Sequence, residues 1–374
     1  MGKTLYIHIG MPKTGTTAIQ KFLNSNSAVL YQKGYIYRLM PFPPFRTGYI
    51  GVRPLRNGYF LHGDHSLRLE QGLSILEKWF REKDNILLTD ESLFTHVKKG
   101  AFLDRLKRFS DEEKVDVRFI AYLRRQDEYL ESHFRQSMKD SMKNQEPVTA
   151  YIERRIKAAG YEKSLNRLAD TFGRESVFVR VYDPKGWSRE GSSIFDNFLK
   201  AVGLELTDDF AIPEREANTS LSSNVTEIKR IINQVDDLID DRHKFDVNVL
   251  FNQSGNAASK ISPDQGKISF LSEEQRKEIM EQVSESNKRL AETYLNTETL
   301  FPEGGPEYVQ WDENNPKLLK DAVLYYGIVT AKMYEEILEL RRRLDRRTPS
   351  YWFACIGKAF SKLGNWFRRR KVKE

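Results

Sequence analysis

The chain has 374 residues, 39% hydrophobic, 12% aromatic and 30% charged, with one cysteine and a net charge of +7. That length and aromatic content exclude wholesale disorder and suit one large α/β domain with additions, or two domains. The lone cysteine, Cys355, excludes an internal disulfide and a cysteine-rich zinc site. Residues 341–374 hold 12 of the 60 Lys and Arg and only 2 of the 53 Asp and Glu. The rest of the chain is therefore close to neutral, and no nucleic-acid-binding face is expected.

In chain order, Met1-Gly2-Lys3-Thr4 runs straight into the strand-like Leu5-Tyr6-Ile7-His8-Ile9. This apolar run is too short for a signal peptide or a membrane span, so a cytoplasmic protein is expected. Continuously apolar, β-branched runs at 5–9, 85–89, 117–123 and 177–182 predict strands buried on both faces. Helical spacing predicts helices over 16–26, 68–82, 101–109, 126–143 and 148–172. Strands alternating with helices predict a three-layer α/β domain around a central parallel sheet. The stretch 38–65, rich in Pro, Gly, Arg and aromatics, reads as an ordered loop beside a site. After 221 the pattern turns helical, with helices expected at 221–241, 272–295 and 316–346 and a loop at 252–268. Ser272 before Glu273-Glu274-Gln275 has capping-box spacing. The expected organisation is a main domain over 1–310, mostly helical from 221, then a helical stalk or oligomer contact over 311–347 and a basic tail over 348–374.

The first strand ends in Gly10-Met11-Pro12-Lys13-Thr14-Gly15-Thr16-Thr17, followed by helix-like Ala18-Ile19-Gln20-Lys21-Phe22-Leu23. Strand, Gly-rich loop and helix form a phosphate cradle, because loop N–H groups and the helix N-terminus point at one anion. Gly10, Gly15 and Thr17 match G-x-x-x-x-G-K-[ST], but Thr16 stands where the lysine belongs and the lysine is displaced to Lys13. A nucleotide phosphotransferase uses that missing lysine on its β- and γ-phosphates. A lysine inside the loop instead suits a shorter phosphate–sulfate anhydride, where it would neutralise the departing bridging oxygen. Pro12 through Thr17 resemble the loop of sulfotransferases that binds 3′-phosphoadenosine-5′-phosphosulfate (PAPS). The resemblance implies that Lys13 contacts the phosphosulfate and assists departure, while Thr14, Gly15, Thr16 and Thr17 hold the 5′-phosphate.

The strand 117–123 ends in Arg124-Arg125-Gln126, with Ser132 eight residues beyond Arg124. An arginine fork and a hydroxyl donor at this spacing suit a second phosphate. The resemblance implies that Arg124 and Ser132 bind the donor's 3′-phosphate. The family often has proline where this chain has Gln126, which leaves Arg125 as the alternative to Arg124. The likeness extends over about residues 4–300, through 161–173, 177–182, 197–204, 218–222 and 271–295 with Asn287, and is to the bacterial, carbohydrate-type branch. It implies PAPS as donor, 3′-phosphoadenosine-5′-phosphate (PAP) as product, and a hydroxyl of a carbohydrate or glycolipid as acceptor.

In-line transfer needs a base, and a carboxylate at the C-terminal end of a parallel strand faces the ligand crevice of an open α/β sheet. The second strand ends in Thr89-Asp90-Glu91-Ser92. Glu91 stands where the carbohydrate sulfotransferases it resembles keep their catalytic glutamate. Asp90, His62 and His65 are the alternatives, and His8, inside the first strand, reads as structural. No metal ligand spacing is visible, so no metal is expected. The other readings are a nucleotide phosphotransferase and a membrane-bound adapter with a vestigial nucleotide site.

In the tail, Trp352, Ile356, Ala359, Phe360, Leu363, Trp366 and Phe367 share one helical face, ahead of Arg368-Arg369-Arg370-Lys371. A basic amphipathic helix with such a face predicts peripheral binding to an anionic membrane, here its cytoplasmic face. A helix docked on the protein is the alternative.

Overall fold

The computed structural model describes residues 2–42, 55–62, 66–98, 100, 102–214, 220–302 and 307–345. His65, most of the 38–65 stretch, Asn218 and Thr219, and the whole 348–374 tail lie outside the described residues. No helix among the described residues is long and apolar enough to cross a membrane.

Five strands form one parallel sheet: β1 (Lys3–Gly10), β2 (Tyr35–Ile36), β3 (Asn85–Thr89), β4 (Val115–Leu123) and β5 (Val177–Val181). Their order across the sheet is β2-β3-β1-β4-β5, which puts the first strand at the centre. Alternation along β1 explains why it is buried on both sides. Leu5, Ile7 and Ile9 join one apolar layer with Leu88, Phe119 and Ala121. Tyr6 joins the opposite layer with Ile19, Phe22, Leu87, Ile120 and Phe198. The four strands expected from apolar runs are all present; β2, two residues long, carries too little pattern to read. The expected α/β class with a mostly helical C-terminal region is the class observed.

Some boundaries differ. The helix expected over 148–172 is interrupted between Val148–Arg155 and Glu162–Phe172, where the Tyr161 hydroxyl donates to the Arg124 carbonyl at 2.5 Å. The loop expected over 252–268 is largely helix, Lys244–Ile261. Its Ser, Gly and Asn composition suggested a loop, but tertiary contact overrides propensity there. A Cβ on Gly255 would come within 3.1 Å of Leu221 and Tyr325, so glycine lets this helix pack close, and Asn248 and Asn252 both donate to the Lys139 carbonyl. The capping box forms as its spacing predicts, with reciprocal Ser272–Gln275 bonds opening Glu273–Gln282.

The chain divides into two compact units. The first comprises Met1–Phe134, Pro147–Asn218 and Ser269–Gln310 and contains the sheet. Its last segment is held to the Gln126–Asp140 helix by buried charge: Arg276 pairs with Asp127 at 3.0 Å and with Glu131, and lies 3.8 Å over the Tyr308 ring. The second comprises Arg135–Glu146, Thr219–Ile268 and the described part of Trp311–Glu374. Its helices Ser223–Ile232, Lys244–Ile261 and Lys317–Asp345 enclose Leu221, Val225, Ile228, Tyr325 and Val329. Buried Asn224 ties it together, donating to Asp321 at 2.8 Å and accepting from the Trp311 indole at 2.9 Å.

Candidate active site

The C-terminal ends of β1, β3 and β4 lie side by side, because β1 pairs with both neighbours. Past the last paired residues, Asp90 N–H donates to the His8 carbonyl at 2.9 Å and Met11 N–H to the Tyr122 carbonyl at 3.2 Å. The three motifs read from sequence therefore meet at one edge of the sheet, where open α/β sheets bind ligands.

The loop between β1 and α1 (Thr16–Ser25) turns through positive φ at Gly10 (93°), Lys13 (68°) and Gly15 (80°). Such alternation aims successive N–H groups into one concavity. Gly10 is needed for space as well as conformation, since a Cβ there would lie 2.8 Å from the Cα of Glu91. Gly15 caps α1, and a Cβ on it would lie 2.4 Å from Ile194 Cδ1. The Thr14 hydroxyl turns inward and donates to the Met11 carbonyl at 2.6 Å, so its side chain braces the loop. Thr16 is buried, with its hydroxyl 3.4 Å from the same carbonyl and bonded to the Glu91 carboxylate. Lys13 is half-buried, and its charge acts on Glu91. Thr17 is exposed at the mouth.

Asp90 and Glu91 occupy different surroundings. Burial pushes the Glu91 carboxyl up, and the neighbouring Asp90 charge adds to this; the Thr16 hydroxyl, Arg56 and Lys13 only partly offset it. Asp90 is fully buried, which alone would raise it, but His62, Arg56 and the Ser92 N–H together hold it below the ordinary range. His62 Nε2 lies 3.1 Å from Asp90 Oδ2, Arg56 Nη1 lies 3.7 Å from Oδ1, and Ser92 N–H donates to Oδ1 at 2.9 Å. His62 also stacks on His96, with ring centroids 4.3 Å apart. The two adjacent carboxyls are therefore pushed in opposite directions. Asp90 stays ionised as an anchor for His62 and Arg56, while Glu91 is the more basic carboxylate and touches the loop. His8 is buried within the sheet, 3.0 Å from Thr89 Oγ1, and burial lowers it to about 3 despite Asp90.

Arg124 leaves the end of β4 toward the loop. It donates to the Lys13 carbonyl at 3.1 Å, pairs with Glu128 at 3.0 Å and lies 5.6 Å over the Tyr182 ring. Arg125 points to Asp127 at 3.3 Å, so of the two arginines Arg124 is the one on the loop. Ser132 is half-buried on the Gln126–Asp140 helix, one turn beyond Glu128 and on the same face. Gln126, where proline was expected from the resemblance, forms a reciprocal amide pair with Asn287 at 2.7 and 3.1 Å.

Sequence reasoning did not single out Arg56, Tyr182 or Glu128. Arg56 lay within the stretch flagged as a functional loop; Tyr182 and Glu128 carried no signal of their own. Among the described residues no group of three His, Cys, Asp or Glu side chains is placed to hold a metal ion. A cavity of about 630 Å³ lined by Arg174, Phe178, Arg180, Tyr294 and Leu295 runs along β5 and shares no residue with the loop.

No family model matches the chain. It is 30% identical over 233 residues to an uncharacterized protein of Archaeoglobus fulgidus, covering 60% of this chain and 58% of that protein. The chain thus matches less than two thirds of that curated relative's length. Among solved structures it is similar to a sulfotransferase from Alicyclobacillus acidocaldarius, at 13% identity and a TM-score of 0.35, covering 63% of this chain and 96% of that one. It is also similar to the sulfotransferase domain from the curacin biosynthetic pathway, at 11% identity and a TM-score of 0.35, covering 76% of this chain and 98% of that one.

Proposed function

We propose that this chain is a sulfotransferase that moves a sulfuryl group from PAPS to a hydroxyl of a carbohydrate or glycolipid, in line and without a metal. One observation carries the reading: Gly10 seats Glu91 directly against a phosphate-type loop that itself contains Lys13, with Arg124 bonded to that lysine's carbonyl. A cation inside the cradle and a basic carboxylate at its wall are the two groups that transfer to a neutral hydroxyl requires.

The donor supplies the sulfuryl group and leaves as PAP. Loop N–H groups and the α1 N-terminus hold the 5′-phosphate. Lys13 neutralises the negative charge that grows on the bridging oxygen as the sulfur–oxygen bond breaks. Glu91 accepts the acceptor's proton as its oxygen bonds to sulfur, and a raised carboxyl makes it the better base. Arg124, with Ser132 on the adjoining helix face, binds the 3′-phosphate; Glu128 keeps a partner when Arg124 turns, because the Tyr308 hydroxyl donates to it at 3.2 Å. Asp90 and His62 position the wall rather than take the proton. The tail is assigned to the cytoplasmic face of an anionic membrane, next to a lipid-linked acceptor.

The test is transfer of ³⁵S from labelled PAPS to a panel of glycans and glycolipids, with chelator present, alongside calorimetry with PAP. Transfer with PAP binding supports the reading. PAP binding without transfer to any hydroxyl would favour a non-catalytic adapter, and magnesium-dependent ATP turnover would favour a phosphotransferase.

A further inference from the structure

The Lys317–Asp345 helix has two apolar faces, and its own unit covers only one. Tyr325 and Val329 are buried against Leu221, Val225 and Ala258. On another face, Leu319, Val323, Tyr326, Met333, Ile337, Leu340 and Leu344 are between 44% and 73% exposed. With exposed Thr330 they stand at 319, 323, 326, 330, 333, 337, 340 and 344. The spacing alternates four and three without a break. That is a period of 3.5 residues, not the 3.6 of a stripe packed on a globular body. It runs nearly four heptads, about 38 Å at the rise of an α-helix.

From this we infer that the chain forms a parallel two-stranded coiled coil with a second copy of itself through this stripe. The register decides strand number and direction. The a positions are Val323, Thr330, Ile337 and Leu344, three of them β-branched; the d positions are Leu319, Tyr326, Met333 and Leu340. β-Branched residues at a with leucine-like residues at d favour two parallel strands. Flanking charge agrees. Glu336 falls at g and Arg341 at the following e, so in a parallel pair each Glu336 faces the other copy's Arg341, twice by symmetry. Both are exposed and neither has an ion-pair partner of its own among the described residues. Gly327, at e beside Tyr326, gives a separate indication. It is exposed, and a Cβ there would meet nothing within 4 Å. Nothing in its own unit needs a glycine in mid-helix, which costs about 1 kcal/mol relative to alanine. In a parallel pair the missing side chain leaves room beside the seam for the other copy's Tyr326 ring.

The experiment is sedimentation equilibrium on the full chain across a concentration series. The wild type should be a dimer at low micromolar concentration. Ile337→Asp with Leu340→Asp changes only exposed seam positions and should give a folded monomer whose melting temperature, unlike that of the wild type, does not rise with protein concentration. Glu336→Arg alone and Arg341→Glu alone place like charges opposite each other and should each weaken the dimer about tenfold. Mixing those two variants should restore wild-type affinity as a heterodimer, because opposite charges then face each other at both sites. A wild type that stays monomeric at 100 micromolar overturns the inference and points to the chain's own tail as the cover. A dimer indifferent to the double aspartate variant overturns it too. Charge variants that do not rescue each other overturn the parallel arrangement.

Discussion

Glu91 and Asp90 are neighbours in sequence, yet their surroundings drive their carboxyls apart, and that separation can be tested. A raised folded value means that ionising Glu91 costs the fold stability, and the cost appears as pH rises through that value. Glu91→Gln should therefore melt at the same temperature as the wild type, or higher, at pH 7. It should lose about a hundredfold or more in turnover, the usual worth of a positioned base, while still binding PAP. In the wild type the acid limb of kcat/KM should fall above 4.5, the ordinary value for this carboxyl, and it should vanish in the variant. Full activity in Glu91→Gln would move the base to Asp90, His62 or His65. Lys13→Ala should lower kcat by about a hundredfold or more and change PAP affinity by less than about tenfold, since this lysine acts on charge that develops at transfer. Unchanged kcat would remove it from the mechanism.

At the scale of elements, the site depends on three strand ends held in register. His8 sits where β1 meets β3, neutral and buried, with a value lowered to about 3 against 6.5 when exposed. The unfolded chain binds this proton as pH falls below 6.5 and the native sheet does not, so stability is lost on acidification. At pH 5 the loss from His8 alone is about 2 kcal/mol. His8→Gln should flatten the dependence of unfolding free energy on pH between 6.5 and 5; an unaltered slope would place the titrating group elsewhere. The strand end at Arg124 has its own test. Arg124→Ala or Ser132→Ala should weaken PAP binding while sparing an analogue without the 3′-phosphate. Equal losses for both ligands by calorimetry would reject the second phosphate site.

For the whole molecule, the uneven charge bears on where it works. The basic residues of the 341–374 segment stand beside an aromatic stripe, and each basic residue near an anionic bilayer is worth about 1 kcal/mol. Full-length protein should co-sediment with anionic vesicles far more than with neutral ones, and salt should release it. Replacing Arg368, Arg369, Arg370 and Lys371 with glutamine should abolish that preference and leave transfer to a soluble acceptor unaltered. Equal partitioning of the two proteins would reassign the tail to a docked helix.

The sequence by itself determined whatever short-range pattern encodes. Apolar runs buried on two faces marked β1, β3, β4 and β5; Gly10 and Gly15 marked a Gly-rich phosphate-type loop; Ser272 and Gln275 marked a helix start. Local spacing also placed Arg124 at a strand end and Ser132 on the helix that follows it. Tertiary structure decided what depends on residues far apart in the chain. Gly10 makes room for Glu91, which is 81 positions away, and Arg56 with His62 sets the charge of Asp90. The 252–261 segment became helix because Gly255 packs against Leu221 and Tyr325, a long-range contact that outweighs weak local propensity. The exposed stripe of the Lys317–Asp345 helix belongs to both: the heptad spacing is in the sequence, but only the folded unit separates the face it buries from the face it leaves exposed.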